Sequence, residues 1–490
     1  MRRPTPQRLR PSPSGDLGRR FAALALVAAP LACAHTPRGS AAPEAWSYTI
    51  RDEDEGTRWS VELCFEGPRP STLFGRESAA EAILEARDPA RGEALPIDRE
   101  AGRIDLTGLT GPCLGYDVDL AAASFGWNRE VVRGGGGARL VATSLWMWAP
   151  ALYARDPVIT VRFATAPEVV VSTPWARSAG APAAFTPDAT VNSWGSYVAL
   201  GPEERLRPLE VEVAGGALEV VTVGDARISD EGIRRWLGAA GSAVAELYGS
   251  LPAERIQVVL VPLGTRDDAV LFGAAERGGG PSVYLLISAE APDDAFVGEW
   301  VSIHELLHLG MPPIQRADAW LPEGFVTYYT EVVRARSGLR SSDAALRALD
   351  DGFGRGRADV RGGTLGEASR KMGRMHAYSW VYWGGAAIAL LVDVALRSDG
   401  RSLDDGLRHL HRCCARTMRR WSADEALAEL DTWAGSDQIS SLVARVLATP
   451  GFDELATIYG KLGLSMVNAT LALDDDAPLA PVRRAIFARP

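Results

Sequence analysis

The sequence predicts a multidomain α+β protein with an N-terminal β-sandwich-like domain, a mixed middle part and a C-terminal helical domain. Three observations carry this. At 490 residues the chain is too long for one ordinary core. From Trp46 to about Val223 the pattern is short, alternating and broken by Gly, Pro and Asp clusters. After Asp293 the periodicity turns helical and stays so to about residue 470.

The N-terminus reads as a leader rather than as fold. Arg2, Arg3, Arg8, Arg10, Arg19 and Arg20 make a basic region, Phe21 to Leu31 an apolar stretch, and Ala32-Cys33-Ala34 a small-residue end. That order is an export signal of bacterial type over residues 1–34. Two readings stand: cleavage at a small-x-small site, or a lipoprotein signal in which Cys33 is acylated. The expected address is therefore exported, periplasmic or lipid-anchored to the envelope, with any membrane contact made only through a lipid at Cys33. Formal net charge is −10; without residues 1–34, which hold six Arg and one Asp, it is about −15, which argues against nucleic acid as a partner.

Residues 35–44 read as a linker and 45–225 as the β-rich domain. Trp46-Ser47-Tyr48-Thr49-Ile50, Trp59-Ser60-Val61-Glu62-Leu63, Val158 to Phe163 and Leu209 to Val213 are its clearest strands. Gly134 to Gly137 reads as a hairpin loop, because no Lys-Ser/Thr and no helix follow it. Cys64 and Cys113 lie in this domain and can pair in an oxidising compartment. Cys413 and Cys414 are adjacent on a predicted helix, and such neighbours are expected to stay buried thiols.

The middle part, 226–340, opens with an amphipathic helix from Ser229 to Leu251. Strands follow at Ile256 to Val261 and Ser282 to Ser288. A helix from about Asp293 to Leu309 is expected next, stopped by Gly310 and Pro312-Pro313. The helical domain spans 341–470, with caps at Ser402 and Ser422. Residues 471–490 read as a polar tail that need not be ordered.

Near the end of the expected 293–309 helix stand His304-Glu305-Leu306-Leu307-His308. Histidines four apart share one helical face, one turn from each other, and can share a tetrahedral zinc. Glu305 points beside that face, where it can take a proton from water. Glu323 follows at the start of a second helix, in Trp320-Leu321-Pro322-Glu323-Gly324-Phe325. It completes a set of two nitrogens and one oxygen, the composition of a catalytic rather than a structural zinc site. Thr327, one turn on, is placed to hydrogen-bond a ligand histidine. His409 and His411 near Cys413 and Cys414 fit no common zinc spacing.

HELLH followed by WLPEGFVTYY resembles gluzincin metallopeptidases, in particular the glycyl aminopeptidase family. Tyr382-Trp383-Gly384-Gly385, Leu390 to Arg397 and Ser402-Leu403-Asp404-Asp405 extend the likeness over roughly residues 225–465. The resemblance implies a thermolysin-like zinc metallopeptidase domain, one Zn2+ and a peptide substrate. It implies that Tyr382 stabilises an oxyanion, although Gly384 stands where the family motif has Lys. It also implies that Glu276, in Gly273-Ala274-Ala275-Glu276-Arg277, binds a substrate α-amine. The stretch from Gly280 through Ser282 to Ser288 is the expected edge strand for substrate backbone. The family carries a PDZ domain after its helical part, and this sequence offers no room for one. Two other functions fit the residues: a non-catalytic zinc-binding envelope protein, and a zinc hydrolase of a non-peptide amide or ester. Oligomeric state is not legible.

Overall fold

A computed structural model describes residues 45–121, 130–151, 157–179, 181, 183–188, 195–416, 419–449, 451–467 and 470–489. Cys33 and the expected leader lie outside the described residues.

The first part is built mainly from two sheets, one of eight strands and one of four, and carries a small third sheet of three strands. Strand β1 (Ala45–Glu53) pairs antiparallel with β2 (Arg58–Glu66), which pairs with β3 (Cys113–Asp119). Alternation sends Trp46, Tyr48 and Ile50 of β1 inward, where residues of both sheets share one core. Buried Trp59, Trp146, Trp148 and Trp175 fill it. Their polar neighbours are satisfied locally: the Tyr48 hydroxyl donates to the Trp148 carbonyl at 2.8 Å and that of Tyr116 to the Trp146 carbonyl at 2.8 Å. Cys64 and Cys113 face each other in the β2–β3 register and form a disulfide. Gly135 to Ala138 turns a hairpin, as its glycines suggest.

The five-stranded sheet of the middle part differs from expectation at its start. β4 (Leu209–Val213) and β5 (Gly216–Thr222) form a hairpin that belongs to this sheet, not to the first domain. Alternation alone does not say which sheet a strand joins. Helix α1 (Asp230–Tyr248) follows, capped by the Ser229 side chain on the Gly232 amide. It buries Ile233, Trp236, Leu237, Ala240, Val244 and Leu247 along one stripe. Then come β6 (Arg255–Leu263), β7 (Val270–Glu276) and β8 (Ser282–Ser288). The order is β4-β5-β6-β8-β7, so β7 is the edge strand and β8 is paired on both sides.

The expected helix from Asp293 to Leu309 is two pieces. A 3-10 turn covers Asp293–Phe296, and helix α2 covers Val301–Leu309. Gly298, at φ 73°, breaks them apart. The Glu299 carboxylate then accepts from the amides of Val301 (2.7 Å) and Ser302 (2.9 Å), capping α2. Helices α3 (Trp320–Arg336) and α4 (Tyr378–Ser398) pack extensively against each other. They cross at Gly324 and Gly385, where a Cβ on either residue would run into the other helix's backbone.

Helix α5 (Leu403–Cys414) and helix α6 (Ala423–Ala434) start at the caps expected from Ser402 and Ser422. Cys413 and Cys414, expected as buried thiols, are instead joined to each other. They occupy the last turn of α5 rather than its interior, and Cys413 is exposed. The last residues are not a loose tail: Thr470–Leu473 pairs with Leu464–Val467, and α7 (Ala480–Phe487) packs on α3 and α4. There Arg336 donates to the Ile486 carbonyl at 2.9 and 2.7 Å.

Candidate metal centre

The spacing of His304 and His308 on α2 brings their Nε2 atoms to 3.2 Å. Glu323, in the first turn of α3, places Oε2 3.5 Å from His304 Nε2 and 3.4 Å from His308 Nε2. Donors of a tetrahedral zinc at ~2.0–2.1 Å lie about 3.3–3.4 Å apart, so the three atoms span one face of such a site.

The tautomer of His304 follows from its neighbour. Thr330 donates its hydroxyl proton to the Val326 carbonyl at 2.7 Å. The same oxygen lies 3.4 Å from His304 Nδ1 and has only lone pairs left to offer. His304 therefore carries its proton on Nδ1 and turns the Nε2 lone pair toward His308 and Glu323. That lone pair and a carboxylate oxygen held so close repel unless a cation sits between them. The residues present thus fit a divalent metal.

Glu323 shows the same opposition of forces. Burial works to raise its pKa, but positive charge at the His308 and His304 imidazoles, where a bound cation would otherwise supply it, outweighs burial and holds it well below the usual carboxylate range. Glu305 is buried at 9% exposure, and burial pushes its pKa up to about 7; His304 opposes this and Glu323 adds to it. Its carboxylate accepts from the Ala275 amide on the edge strand. A Cβ at Gly273 would strike the Glu305 side chain, so only glycine lets β7 pass this close. The Tyr382 ring lies parallel to the His304 ring, centroids 6.2 Å apart. Burial, then the Glu323 carboxylate, raise the pKa of its hydroxyl, which stays a donor.

Two expected roles are corrected. Thr327 does not bond a ligand histidine; Thr330 does, a turn further along α3, and the Thr327 hydroxyl is buried without a hydrogen-bond partner among the described residues. Gly280 and Ser282 do not lie on an exposed edge. Ser282 begins a strand flanked by β6 and β7, and it is 3% exposed. Gly280 abuts the Pro174 carbonyl of the first domain. The edge is β7 instead. Glu276 ends that edge strand, partly buried, and burial pushes its pKa up to about 7 while Arg76 and Arg420 draw it down. Gly278 lies just beyond, clamped to the first domain by bonds from its amide to the Gly195 carbonyl (3.0 Å) and to its carbonyl from Trp175 Nε1 (2.8 Å).

Three further groups at the site carry no motif in the sequence. Thr330 follows Glu323 by seven residues, two turns along the same face, and that spacing was the available signal. Arg277 reaches beneath α2 and donates to the carbonyls of His308, Met311 (2.7 Å) and Ala415 (2.8 Å), fixing the helix end. Trp300 meets His304 edge-on at 5.7 Å.

No family model matches the chain, and no curated protein matches it in sequence. Solved structures match its fold. An aminopeptidase N family protein from Idiomarina loihiensis aligns at TM-score 0.65 and 17% identity, over 88% of this chain and 82% of that one. An M1 zinc metallopeptidase from Deinococcus radiodurans aligns at 0.50 and 16%, over 83% and 96%. The native yeast LTA4 hydrolase aligns at 0.53 and 11%, over 86% and 71%. At these identities the likeness is one of fold.

Proposed function

We infer that this chain is a zinc-dependent peptidase, and within that class an aminopeptidase. The observation that carries the reading is the convergence of His304, His308 and Glu323 donors within 3.2–3.5 Å of one another, beside a buried Glu305. The fold shared with an aminopeptidase N family protein and with an M1 zinc metallopeptidase supports it.

His304, His308 and Glu323 would hold one zinc ion, which when bound polarises a carbonyl and lowers the pKa of water to about 7. The chain's own groups supply the rest. Glu305 takes a proton from the attacking water and later gives it to the leaving amine. Its raised pKa suits both duties. Tyr382, kept protonated, donates to the oxyanion as it develops. The free edge of β7 pairs with substrate backbone, and Glu276 at its end receives the α-amine. Residues 1–34 support export, and Cys33 supports a lipid anchor.

A panel of short peptides with free and acetylated N-termini tests the reading. Cleavage of the free-amine peptides only, one residue at a time, is expected. Cleavage of both sets equally would remove the aminopeptidase assignment, and cleavage of neither would remove the peptidase.

A further inference from the structure

The metal face of α2 continues past the histidines. Trp300 precedes His304 by four residues, as His304 precedes His308, so the three side chains rise along one stripe. The Trp300 ring stands at 87° to the His304 ring, yet the residue is 51% exposed. Val297, in the same loop, is 56% exposed. A large indole half in water beside a metal ligand is apolar surface left for something to cover.

The contacts along β7 fix which part of a substrate would reach it. A Cβ at Gly273 would meet Val301 and Glu305, the Ala275 amide bonds Glu305, and Arg277 bonds the His308 carbonyl. Strand and helix therefore advance in the same direction. Glu276 lies toward the His308 end and Trp300 lies beyond the opposite end. If a substrate's α-amine sits at Glu276, the chain runs from there past Glu305 toward Trp300. One helical turn is ~5.4 Å and one extended residue ~3.3 Å, so Trp300 lies between one and two residues beyond the bond held at His304.

We propose that Trp300 forms the subsite for the first residue on the leaving side of the scissile bond, and that this residue is large and apolar or aromatic. The proposal rests on the peptidase reading above and names its substrate class. Stacking against the indole removes apolar surface of both partners from water, which a Gly or Asp at that position cannot do.

The experiment compares kcat/KM for Ala-X-Ala peptides with X as Gly, Asp, Leu or Phe, in the wild-type chain, Trp300→Ala and Trp300→Phe. The wild type should favour Leu and Phe over Gly on the order of tenfold. Trp300→Ala should bring that ratio close to one, and Trp300→Phe should keep most of it. Because the readout is a ratio within one variant, a general loss of activity does not mimic it. A wild type that cleaves the panel without regard to X, or a ratio unchanged in Trp300→Ala, overturns the proposal while leaving the peptidase standing. A wild type that cleaves none of the four overturns the peptidase reading itself.

Discussion

His304 is constrained from both ends of its ring. Nε2 faces His308 and Glu323, and Nδ1 faces a threonine hydroxyl whose proton is already given to a carbonyl. Removing that hydroxyl in Thr330→Val frees the ring to rotate and to exchange tautomers. Zinc affinity should then fall about 10–100-fold, read by competition with a chelator, while Thr327→Val should leave it unchanged. Glu305 gives a second residue-scale prediction. As a base it must be ionised, so kcat/KM should fall as pH drops through its pKa. Burial sets that near 7 in the bare chain, and a bound cation draws it down. The acid limb is therefore expected between about 4, the ordinary carboxylate value, and the raised one. A profile flat through that window would count against Glu305 as the base. The ligand residues were legible because their spacing is local to one helix and the next. Thr330 was missed because nothing in the sequence says which of two hydroxyls on one face meets the ring.

At the scale of elements, the site depends on how closely α3 and α4 cross. Glu323 sits on α3 beside Gly324, and Tyr382 sits on α4 one turn before Ala386. The Gly324–Gly385 crossing brings the two helices together. A methyl at Gly385 would meet the Trp320 carbonyl, so Gly385→Ala should separate the helices and shift Glu323 against the histidines. Overpacking of this kind costs about 1–3 kcal/mol. Zinc affinity and kcat/KM should fall together, and unchanged values of both would show that the close crossing does not set the site. Helix registry is further held by buried charges: Asp393 accepts from Tyr328 (2.8 Å) and Arg397 (3.0 Å), and Asp404 from Tyr329 (2.7 Å). Helix existence was legible from periodicity and caps. The break at Gly298 was not, because a positive φ at one glycine leaves the apolar pattern on either side intact.

Across the whole molecule, the first domain does more than precede the site. Gly278 to Gly280 form the turn between β7 and β8, and their lack of side chains lets Trp175, Pro174 and Gly195 close over it. That clamp fixes the Glu276 end of the edge strand. The same turn explains why Gly280 and Ser282 were misplaced: glycines there mark close contact between domains, not an open edge. Strand alternation marks Leu209 to Val213 as a strand, yet does not show that it pairs in the five-stranded sheet of the middle part, because pairing partners are set by topology rather than by local pattern. The C-terminal segment was misjudged for a related reason, since Ile486 and Phe487 find their burial only against helices far away in sequence.

The claim on which everything else stands is that His304, His308 and Glu323 hold zinc beside Glu305 acting as a base. Zinc content and peptide hydrolysis measured together on the wild type and Glu305→Gln test it most directly. One zinc per chain is predicted in both, with hydrolysis in the variant slower by at least about 10²-fold. A wild type that retains no zinc after incubation with it, or a Glu305→Gln chain that keeps both its zinc and its full rate, would contradict the account.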